Sequence, residues 1–320
     1  MRHLCTYFDK NFLVPGLTLY RSLAKTNTEF QLYVLCFDEY TAEFLRSLRL
    51  SNLIVIPQKE FEQNDEALWT AKGNRSLIEY YFTCSPSLPL YILKKWPSIE
   101  SIAYVDADLF FFNSPEPIFQ EFADRSILIC EHRFPDSLKS LEEWGKYNVG
   151  LIIFRNDANA RDCLQWWRDR CNEWCYDRLE DGKFADQKYL DDWPQRFNGA
   201  AVLQHKGAGL APWNLGNYTL DLNHQPITVD EAPLIFYHYH GLKVLNRWMC
   251  DPKLHPFGLT IDSAARWLYR RYMREMRETC RWAALPSQCM YVRKKNIRFH
   301  SLRILEIFKM IFTGRILFVR

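Results

Sequence analysis

Hydrophobic and polar positions follow two alternating rhythms along the first half of this chain. Leu4 to Phe8 is a short apolar run of strand character, and Leu13, Leu17, Tyr20 and Leu23 then recur at helical spacing. Phe30 to Phe37 reads as a second strand, Thr41 to Leu50 as a helix and Leu53 to Ile56 as a third strand. Strands that alternate with helices predict parallel pairing, because a crossover is needed to bring the chain back in the same direction. Pro89 to Lys95 predicts a helix leading into a strand at Ile102 to Val105. Ser126 to Cys130 and Val149 to Phe154 are further strands, and Asn159 to Leu179 predicts a long helix. Leu234 to His240 reads as a last strand, closing on Gly241.

Beyond Asp262 the pattern changes. Arg266, Arg270, Arg274, Arg277 and Arg281 form one stripe along a predicted helix, with Leu268, Tyr272, Met276 and Trp282 away from it. A basic cluster, Arg293-Lys294-Lys295, follows Pro286. Leu302 to Val319 then predicts a helix with a narrow polar line and a wide apolar face. Two destinations suit that face: the body of the protein, or the surface of an anionic membrane.

One segment carries chemistry on its own. Ile102 to Val105 ends in Asp106-Ala107-Asp108, and a second apolar run, Leu109 to Phe112, follows at once. Open α/β sheets place ligands at the carboxyl ends of their strands. Two aspartates in so apolar a setting repel each other and lose solvation unless a cation pairs with them. A hard divalent ion such as Mn²⁺ or Mg²⁺ meets that need, and such an ion commonly also holds phosphates.

The 320 residues are 48% hydrophobic, enough for one large α/β core or a core with an appendage. The formal charge of +3 hides an asymmetry: residues 266–320 hold 14 Lys/Arg against 3 Asp/Glu, whereas residues 1–265 are net −8. An anionic partner is therefore expected at the tail, and nucleic acid is not expected as a partner. The ten cysteines form no C-x-x-C pair; Cys171 and Cys175 lie four apart but read as reduced thiols. No uncharged apolar run approaches a membrane span, so a cytoplasmic chain, peripheral on the cytosolic face of a membrane, is expected.

Four more segments join the paired aspartates. Thr6-Tyr7-Phe8-Asp9 lies where the first strand meets the first helix. Tyr147-Asn148-Val149-Gly150 opens a strand with an amide and a glycine, and Asp186-Gln187 sets a carboxylate beside an amide. His238-Tyr239-His240-Gly241-Leu242-Lys243 joins possible metal ligands to a glycine and a cation. In this order, over about residues 1–245, the chain resembles the GT-A glycosyltransferases, and among them the retaining family 8 group that includes glycogenin and lipopolysaccharide galactosyl- and glucosyltransferases. The resemblance departs at the end: Lys243 comes one residue early and no Pro-Trp follows it.

The resemblance implies a Rossmann-like mixed α/β sheet flanked by helices over residues 1–250, with a basic helical extension over 251–320. It implies Asp106, Asp108 and His238 or His240 as ligands of Mn²⁺ or Mg²⁺. Donor contacts from a UDP-sugar would fall to Thr6, Tyr7, Asp9, Arg75, Asp106, Ala107, Asp108, Asn148, Gly241 and Lys243, and catalytic roles to Asp186 and Gln187. Arg75 and Glu79 can equally pair on a helix, and Trp213-Asn214 can line an acceptor site or anchor a loop. The acceptor implied is a glycan or lipid-linked saccharide. A sugar-1-phosphate nucleotidyltransferase would share the sheet but wants a glycine-rich loop, and Thr6 to Gly16 holds one glycine. A non-catalytic glycan- or nucleotide-binding scaffold is the other alternative.

Overall fold

The first three strands and first two helices form close to where their apolar spacing predicts. The computed structural model describes residues 1–290, 309–311 and 313–319. Strand β1 (Arg2–Phe8) leads to α1 (Leu13–Ala24), β2 (Phe30–Cys36), α2 (Glu39–Ser47) and β3 (Leu53–Pro57). Helix α2 starts two residues earlier than its apolar pattern because the Asp38 side chain accepts from the Thr41 amide. Two short helices follow, α3 (Gln58–Phe61) and α4 (Glu66–Asn74), and then α5 (Leu77–Lys95).

Helix α5 corrects the sequence reading, which starts it at Pro89. A capping box between Ser76 and Glu79 starts it twelve residues sooner, and Pro86 and Pro89 sit inside it. Those prolines remove two amides from the helical ladder, and eleven buried residues keep the helix in place despite them.

Strand β4 (Ser101–Val105) and strand β5 (Leu109–Phe111) flank the two aspartates. After α6 (Glu116–Phe122), β6 (Ile127–Glu131) and β7 (Tyr147–Arg155) comes α7 (Ala158–Glu173). Helix α7 stops six residues short of Leu179. Trp174 takes an extended conformation there, with its amide donating to the Arg170 carbonyl at 2.8 Å. A short α8 (Trp193–Arg196) and β8 (Ala200–Val202) follow. Three small strands, β9 (Leu220–Asp221), β10 (Thr228–Val229) and β11 (Ala232–Pro233), form a side sheet before β12 (Phe236–His238).

The main sheet has the order β3-β2-β1-β4-β7-β6-β8. Strands β3, β2, β1 and β4 run parallel, and β7 is antiparallel to both β4 and β6. Strand β12 pairs antiparallel with β5, setting His238 opposite Leu109. That pairing joins the last predicted strand to the paired aspartates.

Strands β13 (Lys243–Asn246) and β14 (Met249–Asp251) precede α9 (Ser263–Trp282), whose first turn is capped by Asp262. Helix α9 packs on α1: Thr18 donates to Thr279 at 2.9 Å, and Lys25 pairs with Glu275. Its Tyr272 stacks on Tyr239 with ring centroids 3.8 Å apart. The final strand, β15 (Leu317–Phe318), pairs antiparallel with β14. The helix expected over Leu302 to Val319 thus does not reach its end; Leu317 and Val319 are buried in the core, each 1% exposed. Residues 302–308 of that helix and the cluster Arg293-Lys294-Lys295 lie outside the described residues. Among the described residues, no helix is long and apolar enough to cross a membrane.

Candidate active site

The turn between β4 and β5 presents both aspartates at the carboxyl end of a buried parallel strand. Ala107 between them turns inward to the core. The Asp106 amide donates to the Gly150 carbonyl at 3.0 Å, fixing the turn against β7. His238 arrives on β12, with its Nε2 3.1 Å from Asp108 Oδ1 and 3.6 Å from Asp106 Oδ2. One ligand atom from each of Asp106, Asp108 and His238 lies within 4.8 Å of the other two. Two carboxylates and an imidazole at that spacing suit a divalent ion such as Mn²⁺ or Mg²⁺.

The electrostatics favour a positive guest. Burial, reinforced by the Asp108 charge, pushes the Asp106 carboxyl up to about 6 even though His238 and the Tyr104 hydroxyl, 2.9 Å away, oppose the rise. Burial also disfavours the Asp108 charge, but His238 outweighs it and holds that carboxyl below its usual value. His238 in turn is raised, because the two acids overcome the cost of its burial. Asp186 is pushed up to about 7 by burial and by Asp106. Two buried acids whose charged forms are disfavoured make a site in which a positive group is favoured.

The cluster opens on a cavity of about 510 Å³ whose lining includes Tyr7, Asn148, Asp186, Gln187, Trp213 and His238. Asn148 Oδ1 accepts from the Gly150 amide at 2.8 Å, and its Nδ2 lies 3.3 Å from His132 Nε2. Any Cβ at Gly150 would fall 2.4 Å from Asn148 Oδ1 and 2.8 Å from the His238 ring, so the glycine is a steric requirement of the site. Gln187 donates to the Trp144 carbonyl at 3.0 Å.

No protein-family model matches the chain. Two uncharacterized proteins of Bacillus subtilis (strain 168) do. YfnF is 33% identical over 252 residues, which cover 76% of this chain and 82% of YfnF. YfnD is 31% identical over 246 residues, covering 76% of this chain and 78% of YfnD. This chain belongs to the family of YfnF and YfnD. Among solved structures, the galactosyltransferase LgtC in complex with donor and acceptor sugar analogues superposes with a TM-score of 0.55 at 16% identity. That match covers 86% of this chain and 95% of LgtC. An active-site mutant of LgtC matches with a TM-score of 0.50 at 14% identity, over 75% of this chain and 88% of that one. The fold of this YfnF relative is the GT-A glycosyltransferase fold, as its resemblance to family 8 implies.

Within this YfnF-family site the predicted residues separate. His240 is exposed, its ring centroid 5.6 Å from that of His238, and it stands outside the three-ligand group although it lines the cavity. Tyr7 lines the cavity, whereas strand alternation turns Thr6 to the opposite face of β1, fully buried. Asp9 accepts from the Asn11 amide and the Tyr81 hydroxyl. Arg75 and Glu79 do not pair along one helix: Arg75 ends α4 and donates to the carbonyls of Cys171 and Asn172, outside the cavity lining. Gly241 takes a left-handed turn at φ 69°, and Lys243 stands opposite Asp251 on β13, also outside the lining.

Trp213-Asn214 belongs to an anchored loop at the cavity. Asn214 ties the loop to the carbonyls of His132 and Gly209, while Trp213 faces the cavity. Sequence reasoning misses His132, which is 5% exposed, stacks on Phe134 and is pushed down to about 3 by burial. Its signal is present, since it directly follows the apolar strand β6 as Asp106 follows β4.

These protonation states give a measurable pH dependence. An acid raised in the folded state keeps a proton that the unfolded chain has released, so metal-free stability falls as pH rises from about 4 to about 7. Bound Mn²⁺ must displace that proton. The Mn²⁺-induced rise in Tm is expected to be larger at pH 7.5 than at pH 5.5; equal shifts at both would contradict ligation by Asp106.

Proposed function

We propose that this protein is a metal-dependent, retaining glycosyltransferase that moves a hexose from UDP-galactose or UDP-glucose to a glycan or lipid-linked saccharide. The observation that carries the reading is the Asp106/Asp108/His238 cluster at the carboxyl end of β4, opening on the same cavity as Asn148, Asp186 and Gln187. A divalent ion held by these three ligands would neutralise the diphosphate leaving group. Asn148 and Asp186 are suited to grip sugar hydroxyls, one as an amide and the other as an acid able to donate at neutral pH.

Gln187 is a poor nucleophile, so it stabilises positive character at the anomeric carbon rather than bonding to it. The acceptor hydroxyl attacks from the side of the leaving diphosphate, whose oxygen takes the proton as the bond to the anomeric carbon breaks. Trp213 and Phe257, whose rings lie 6.3 Å apart, offer the acceptor an aromatic wall. In this reading residues 1–250 carry the chemistry and 251–320 the attachment. Support for attachment comes from the exposed Arg266, Arg270, Arg274 and Arg281 and from the exposed rings of Trp248, Trp282 and Phe318. An anionic, cytosolic membrane surface would gain about 1 kcal/mol from each nearby arginine.

The test is a thermal-shift panel of nucleotide sugars with and without Mn²⁺, followed by hydrolysis and transfer assays. A UDP-hexose is expected to raise Tm only with the ion, reflecting a gain of about 2.7 kcal/mol in stability at a hundredfold excess over Kd. Turnover of UTP with a sugar phosphate instead would overturn the reading. Gln187→Ala is expected to lower kcat about 10²-fold with little change in KM, as loss of one transition-state contact does.

A further inference from the structure

Helix α5 presents two stripes to two different cavities. Phe82 faces the one described above; Ser87, Leu90, Tyr91 and Lys94 line a second cleft with α4 and α7, and the two cavities share no residue. The second cleft encloses about 520 Å³, inside the span of about 300–1,000 Å³ common to small-ligand pockets.

Its chemistry is specific. Ser87 is 4% exposed, and among the described residues its Oγ has no hydrogen-bond partner. A buried hydroxyl is normally satisfied, and a helical serine or threonine can bond back to the carbonyl four residues earlier, as Thr83 does to Glu79. Ser87 makes no such bond; the residue lines the cleft, with its Oγ itself covered. Trp69, 53% exposed, leaves much of its indole uncovered on one wall, while Phe61 closes another. The charges cancel: Asp65 and Glu66 stand with Lys94 and Arg168, and Arg168 is already held by both Asp65 oxygens at 2.6 Å. A balanced cleft does not select a phosphate, a nucleotide or a metal ion. It offers donors, acceptors and an aromatic face together, which is what a neutral sugar ring requires: hydroxyls that both give and take hydrogen bonds, and a C–H face to lie on indole.

We propose that the cleft between α4, α5 and α7 is a second saccharide site, holding a neutral oligosaccharide apart from the metal-ligand cavity. The proposal stands independently of the activity assigned to that cavity.

The experiment uses the full-length protein on an array of short neutral oligosaccharides, comparing wild type, Trp69→Ala, Trp69→Phe and Asp106→Asn. Equal melting temperatures for wild type and the Trp69 variants establish that those variants fold. A saccharide retained by wild type and by Asp106→Asn should lose at least about tenfold in apparent affinity in Trp69→Ala and recover most of it in Trp69→Phe. Three outcomes overturn the proposal: no saccharide retained, Trp69→Ala binding like wild type, or binding abolished by Asp106→Asn. The last would place all saccharide in the first cavity.

Discussion

Asp108→Asn and Asp106→Asn are each expected to abolish ion-dependent turnover yet to move metal-free stability in opposite directions. Changing a residue that merely supports a metal ligand costs about 10–100-fold in affinity or activity, so removing a ligand's charge should cost no less than about 10²-fold. The metal-free proteins part company because the two carboxylates live differently. Asp108 is the counter-charge of His238, whose side chain is 4% exposed and whose Nε2 lies 3.1 Å away. Neutralising it takes the nearer acid from a buried imidazole and leaves Asp106 at 3.6 Å, a loss of about 1–3 kcal/mol.

Asp106, by contrast, is disfavoured as an anion by burial and by Asp108. An asparagine there removes that penalty above pH 6 and can still accept from the Tyr104 hydroxyl. Melting in EDTA at pH 7.5 should therefore rank Asp106→Asn at or above wild type and Asp108→Asn below it. Equal destabilisation by both would show that His238 is not paired as the geometry indicates. Retained turnover in either variant would remove the metal from the mechanism.

A chain ended at Asp262 is expected not to fold. It loses Leu268, Tyr269, Tyr272, Met273 and Met276, each at most 1% exposed. Emptying one such site costs about 2–5 kcal/mol, and whole domains hold only about 5–15 kcal/mol of net stability. Tyr237 and Tyr239, fully buried against α9, would face water beside His238. Circular dichroism and size exclusion of the shortened chain read this directly; a soluble, cooperatively melting product would refute it. Attachment to anionic membranes is consequently better tested by charge reversal on the intact protein. Changing Arg266, Arg270 and Arg274 to glutamate should sharply reduce partitioning onto phosphatidylserine vesicles and leave turnover on a soluble acceptor unaltered.

The parallel half of the sheet is legible in the sequence because strand and helix periods differ and the connections are short. Asp106 and Asp108 are legible for a similar reason, since charge inside an apolar run is conspicuous. What escapes is whatever depends on a distant partner. His238 rather than His240 meets the aspartates because β12 pairs with β5, a register no local pattern encodes. Thr6 and Tyr7 look alike as neighbours, but the pleat sends them to opposite faces. Arg75 lies in a helical-looking stretch, but its guanidinium is fixed by the end of α7. The tail reads as an amphipathic helix, although its last apolar residues are needed to complete a strand pair with Met249 and Cys250.

The three candidate ligands come from points 130 residues apart in the chain, and the helix that backs the third follows later still. During synthesis the two aspartates leave the ribosome long before their histidine does. A nascent or prematurely terminated polypeptide therefore holds no assembled site until α9 has followed β12, and any ion binding would report that translation has passed α9.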